Sequence, residues 1–262
     1  MHSVICNTNM LYLALNVDER IKMVKKAFTL AEILITLGII GVVAAITLPA
    51  LIQKQQEKIL VNQLKKSYSA FSQAFLTVVA ENGPAESWDI GNNDTSEGSN
   101  KLYNLFKPHL SVVEDCGINR GCFYTGTYKA LNAQAYAWQP STHTKYARGR
   151  LSDGTAFLFW SAGKGCNTDY SSDGSGRYSR ICGTIYVDIN GDKSPNQAGV
   201  DYFSFVITKD GIYPAGLKGY RNLYGVICQY NNTSSTNGVA CSGWVITHEN
   251  MDYIRRDISD EL

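Results

Sequence analysis

An excess of charge of either sign is missing from this 262-residue chain, in which 24 Lys and Arg stand against 23 Asp and Glu. Without a surplus of positive charge there is no electrostatic footprint for a nucleic-acid binder. Residues 1–27 hold Asp18, Glu19, Arg20, Lys22, Lys25 and Lys26, so the remainder carries 20 basic and 21 acidic residues, a net of −1. Enzyme signatures are missing too. His109, His143 and His248 stand without metal-ligand or triad spacing, and neither a nucleophile elbow nor a phosphate-binding glycine loop is present. Nothing selects any Asp or Glu pair as a glycosidase couple. No two cysteines form a CxxC pair and no HxxxH accompanies them, which argues against zinc. No internal repeat is found.

What the chain does have is a long apolar run near its start. From residue 28 to residue 48, 21 residues, Glu32 is the only charge. A helix of roughly 20 apolar residues spans a bilayer, so residues 28–52 are expected to cross a membrane. A secretory signal peptide has an apolar core of only ~7–15 residues, and this run is longer and contains an acid. Lys22, Lys25 and Lys26 precede it and no such cluster follows, which places the N-terminal flank in the cytoplasm and the rest of the chain outside it. An ionised Glu in hydrocarbon costs a few kcal/mol, so Glu32 calls for a partner or a function.

Cysteine usage points to export independently. Cys6 precedes the membrane segment, whereas Cys116, Cys122, Cys166, Cys182, Cys228 and Cys241 follow it. An even number in the exported part implies three disulfides in an oxidising compartment, although six cysteines allow ~15 connectivities. Closeness along the chain favours Cys116 with Cys122, Cys166 with Cys182, and Cys228 with Cys241.

After Pro49 the pattern becomes amphipathic. Leu60, Leu64, Tyr68, Phe71, Phe75 and Val79 recur at steps of three and four, one stripe of a helix over residues 53–82 that Asn82-Gly83-Pro84 stops. Gly38, Gly41 and Pro49 should bend or locally unwind the membrane half. Residues 85–100 read as a loop and 101–110 as a short helical turn. Strands are expected at 155–160, 183–188 and 202–208, with a hairpin turn at Asp210-Gly211 and Pro214 limiting the following strand. The fold class is therefore α+β: a long N-terminal helix packed on a small, antiparallel, disulfide-stabilised domain at 83–262. The many tyrosines, among them Tyr128, Tyr136, Tyr186, Tyr202 and Tyr220, can stack on sugars or bases, or serve as half-buried strand residues.

Residues 25–49, with the helical pattern that follows, resemble the N-terminus of type IV pilins and of type II secretion pseudopilins. Such precursors have a basic leader, a small residue before the cut, then Phe, Thr and, fifth, Glu; here these are Ala27, Phe28, Thr29 and Glu32. The family usually has Gly where this chain has Ala27. The resemblance implies that a prepilin peptidase removes residues 1–27 and methylates the new amine of Phe28. That leader is long, and a start at Met23 would give one of common length. It also implies that Glu32 pairs with the amine of a neighbouring subunit, that Pro49 is the family's late proline, and that the partners are other pilin-like subunits, an inner-membrane assembly platform and membrane lipid. The expected location is the inner membrane, single-pass, then a periplasmic or extracellular filament. A plain membrane anchor with an incidental acid is the alternative for Glu32. A minor or tip subunit that recognises a surface, glycan or DNA is the alternative for the whole chain, and a membrane-anchored hydrolase a third reading.

One loop is rich in oxygen ligands. Asp188, Asn190, Asp192 and Asp201 can supply calcium from one side, as some pseudopilins do near their last strands. The helix-loop-helix calcium pattern is not matched, since Lys193 takes its glycine position and no bidentate Glu follows. A turn capped by Asp and Asn side chains is the other reading.

Overall fold

A computed structural model describes residues 29–172, 176–221 and 227–258. The chain divides into two compact units, Met1–Ala50 and Leu51–Leu262. Helix α1, Leu30–Asn82, contributes to both. In the first unit its large side chains, from Leu30 through Leu48, are exposed all round, and the segment is long and apolar enough to cross a membrane. α1 is helical without interruption through Gly38, Gly41 and Pro49, so the unwinding expected there is not found. Proline removes one hydrogen bond, whereas the turns on either side keep theirs, and propagating a formed helix is far easier than starting one.

The second unit is built on a six-stranded antiparallel sheet: β1 Val112–Gly117, β2 Ala147–Leu151, β3 Ala156–Ser161, β4 Ile181–Asp188, β5 Tyr202–Thr208 and β6 Ile212–Pro214. The strands lie side by side in chain order. Side chains alternate between faces with a period of two, which divides the core into two layers. Phe157, Phe159, Ile185, Val187, Phe203, Phe205 and Ile207 point to one layer. There they meet Val61, Leu64, Phe71, Ala74, Phe75 and Val78 of α1, whose three- and four-residue spacing puts them on one helical stripe. Phe71 stands edge-on to Phe157 at 5.6 Å and to Phe159 at 6.1 Å. Leu158, Tyr202 and Val206 point to the other layer, where Tyr128, Tyr136 and Tyr146 cover them from the loops. The tyrosines are thus mostly a second core.

Four elements depart from the sequence expectation. Helix α2, Ser96–Phe106, begins inside the stretch expected to be a loop, because Thr95 caps it by accepting from the Gly98 N–H at 3.1 Å and Leu102, Tyr103 and Phe106 are buried. Gly98, a poor helix former, is required there: a Cβ would lie 2.7 Å from the carbonyl oxygens of Ile90 and Asn92. Strands β1 and β2 and helix α3, Ser242–His248, lacked a strong sequence signal. The C-terminal segment then ties down α1, with Glu57 accepting from the Met251 N–H at 2.8 Å and pairing with Arg255. Disulfides join Cys116 to Cys122, Cys166 to Cys182, and Cys228 to Cys241.

Candidate functional site

Ala27 and Phe28 lie outside the described residues, so the described start of α1 is Thr29 and its first turn. The Thr29 N–H donates to Glu32 Oε2 at 2.8 Å and the Thr29 hydroxyl donates to the same oxygen at 3.0 Å. In return the Glu32 N–H donates to Thr29 Oγ1 at 3.2 Å. This reciprocal pair is a capping box, a T-x-x-E signature that was legible in the sequence but hidden behind the membrane reading. Both bonds from Thr29 use Oε2, and no Lys or Arg among the described residues pairs with Glu32.

The oxygen-rich loop runs from the end of β4 to the start of β5. The strand pairing of Asp188 with Tyr202 and the Ile189 N–H bond to the Asp201 carbonyl at 2.9 Å bring the two acids together. Gly191 makes the turn possible, at φ +67, where a Cβ would come within 2.7 Å of the Gly154 carbonyl. Asp201 accepts from the Gln197 N–H at 2.6 Å, the Asn196 N–H at 2.8 Å and the Asn190 side-chain amide at 3.2 Å. Asp188 accepts from the Tyr128 hydroxyl and from the Asn190 N–H at 3.2 Å.

Both carboxyl groups are fully buried. Burial raises the Asp201 pKa to about 6, against the pull of its backbone donors. Burial, followed by the Asp201 charge, raises Asp188 well above the carboxylate range. Neither has a cationic side chain as a partner among the described residues. Moreover, Asn190 Oδ1 and Asn196 Oδ1 are buried with no hydrogen-bond donor. Two carboxylates and two unbonded amide oxygens on this loop are hard oxygen donors of the kind calcium takes.

Asp192 does not join them. Its side chain is 61% exposed and pairs at 3.0 Å with Arg150, which also reaches Glu114 at 3.1 Å. Its place in the donor set goes to Asn196, which the alternating-acid pattern did not single out. The turn-capping reading of the loop also holds, since the backbone N–H groups of residues 190, 196 and 197 are bonded by the same two acids.

Other candidate groups are dispersed. Cys116 and Cys122 lie within 4.8 Å of Glu114 but are joined to each other, so they offer no thiolate to a metal. His109 pairs with Glu81, His143 stacks on Tyr146 and His248 on Trp244, in three separate places.

No curated protein and no solved structure matches the chain. One protein-family profile does, over residues 50–242, which takes in the second half of α1, the whole sheet and the oxygen-rich loop. The chain belongs to that family, a family of unknown function (DUF6613).

Proposed function

We propose that the chain is a pilin-like structural subunit whose function is assembly into a type IV pilus or a type II secretion pseudopilus. A prepilin peptidase cuts between Ala27 and Phe28 and methylates the Phe28 amine. The apolar half of α1 holds the mature subunit in the inner membrane, with the disulfide-bonded domain exported. An assembly platform then moves it into a filament beside other pilin-like subunits. A major subunit dominates purified filaments, and a minor or tip subunit is sparse in them.

The observation that carries this reading is Glu32, one carboxylate at the head of a membrane-length helix, capped through Oε2 alone. Oε1 remains for the amine of a neighbouring Phe28. Opposite charges in a low-dielectric medium attract strongly, so the pair offsets much of the cost of holding either in lipid.

Capping and charge are separable by mutation. Glu32→Gln keeps a capping-box residue and removes the charge, whereas Thr29→Ala removes the cap and keeps the charge. Glu32→Gln should leave the protein in the membrane fraction and absent from sheared filaments, while Thr29→Ala should still be incorporated. Filaments built normally from Glu32→Gln would defeat the reading. Mass spectrometry of the mature protein should find an N-methylated Phe28.

Calcium belongs to the same reading. Held by Asp188, Asn190, Asn196 and Asp201, it would neutralise two buried acids and fix the β4–β5 loop.

A further inference from the structure

We propose that the tyrosine-rich side of the sheet carries a binding cleft for a neutral carbohydrate. The proposal goes beyond the assembly reading and does not depend on it. The cleft encloses about 550 Å³, a volume typical of small-ligand sites. Strand pairing sets Trp160 directly beside Thr184, and Trp138, Tyr170 and Tyr220 close in from the loops.

The aromatic rings are held in place. Trp160 Nε1 donates to Asp94 Oδ1 at 2.9 Å, and its ring lies nearly parallel to Tyr170, 14° apart with centroids at 6.5 Å. Tyr220 meets Tyr170 edge-on, at 82° and 6.2 Å. All four rings, Trp138 included, are only half-buried. Large rings that are oriented in advance and left partly open to solvent lose little freedom when a ligand covers them.

The chemistry around them selects the ligand. A pyranose presents a face of slightly positive C–H bonds, which suits the negative face of an aromatic ring. Its hydroxyls need hydrogen-bonding groups around the stack, and the Asp94 carboxylate and Thr184 hydroxyl line the same cleft. Thr184 Oγ1 is buried without a partner, so a ligand hydroxyl would satisfy a group that is otherwise desolvated with no return.

Charge argues against a polyanion. The Lys145 ammonium is engaged by Asp94, and burial lowers the His143 pKa, which keeps that ring neutral at pH 7. No free cation is left to anchor a phosphate among these residues, whereas phosphate contacts dominate nucleic-acid affinity.

The test uses the full chain in phosphatidylcholine nanodiscs, which avoids detergents with sugar headgroups. Maltohexaose, cellohexaose, chitohexaose and lacto-N-neotetraose are titrated in turn by tryptophan fluorescence and calorimetry. At least one should bind saturably, and Trp138→Ala and Tyr170→Ala should each weaken it by about tenfold. Thr184→Val, which keeps the volume and removes the hydroxyl, should weaken it as well and guards against loss through misfolding. The proposal is overturned if none of the four saturates, or if binding survives all three substitutions unchanged. Tighter binding of oligodeoxythymidine would overturn it too, by assigning the rings to stacked bases.

Discussion

Raising the pH from about 4.5 to 7 in metal-free buffer should destabilise the sheet domain, the reverse of ordinary acid denaturation. Asp201 and Asp188 are the reason. Burial lifts the Asp201 carboxyl from 3.8 to about 6 in the folded protein. A group that holds its proton more tightly when folded contributes stability that is complete below the unfolded pKa and lost as pH rises through the folded one. From below pH 3.8 to above pH 6 the difference amounts to about 3 kcal/mol, at ~1.4 kcal/mol for each tenfold change in proton affinity, and about 2 kcal/mol of it falls between pH 4.5 and 7. Asp188 acts in the same direction. Asp94, Asp115 and Asp153 are shifted downward and act in the opposite sense, but chiefly below about pH 4.5.

His143 also opposes the trend, just below pH 6.5, because its folded pKa is lowered. A His143→Gln background therefore isolates the two acids. Guanidinium unfolding of the micelle-held chain, followed through buried Trp88 and Trp244, gives the stability at each pH. Calcium at 100 times its dissociation constant should restore about 2.7 kcal/mol at pH 7.5, enough to offset the share of the loss that comes from Asp201. A midpoint that stays level or climbs with pH in metal-free buffer would refute the electrostatic argument. A midpoint at pH 7.5 that ignores calcium would refute the donor set.

Two further outcomes test the packing. Phe71→Ala removes a fully buried ring from between Phe157 and Phe159 and should cost about 3–5 kcal/mol, read as a drop in denaturation midpoint, while Leu76→Ala, at an exposed position, should change little. Replacing both Cys166 and Cys182 with serine opens a loop of sequence separation 16 and should lower stability by about 3 kcal/mol, with the thermal transition of the variant matching that of the reduced parent at this bridge.

The elements that were legible in the sequence are those with a local physical cause. The stripe from Leu60 to Val79 is periodic, and the structure buries that side of α1, centred on Leu64, Phe71 and Phe75. β5 is a run of aromatic and branched residues broken only by Ser204, and it was legible to the residue. β2, Ala-Arg-Gly-Arg-Leu, was not, because Gly149 and two arginines carry no strand signal. Its place is set by its neighbours. A Cβ at Gly149 would lie 2.6 Å from the Phe157 ring, and Arg148 is buried by bonding carbonyls of Pro140 and Tyr146 at 2.7 and 3.1 Å. The oxygen-rich loop was legible for Asp188, Asn190 and Asp201, since acids and amides cluster there. Asp192 and Asn196 exchange places because Arg150, 42 residues away in sequence, draws Asp192 outward. The aromatic cleft draws its residues from separate stretches between 93 and 220, and no spacing rule joins them.

The strand order has a consequence for how the domain is made. Every strand pairs with the one that precedes it in the chain, so each new strand reaches a finished edge rather than waiting for a distant one. A chain delivered across a membrane from its N-terminal anchor outward would find α1 already present as a template when β1 emerges. The sheet can then grow one strand at a time in the order of delivery, with each unpaired edge covered soon after it forms. The closing steps fall to the Cys228–Cys241 bridge, α3 and the Glu57 clamp, which fasten Met251 and Arg255 onto α1.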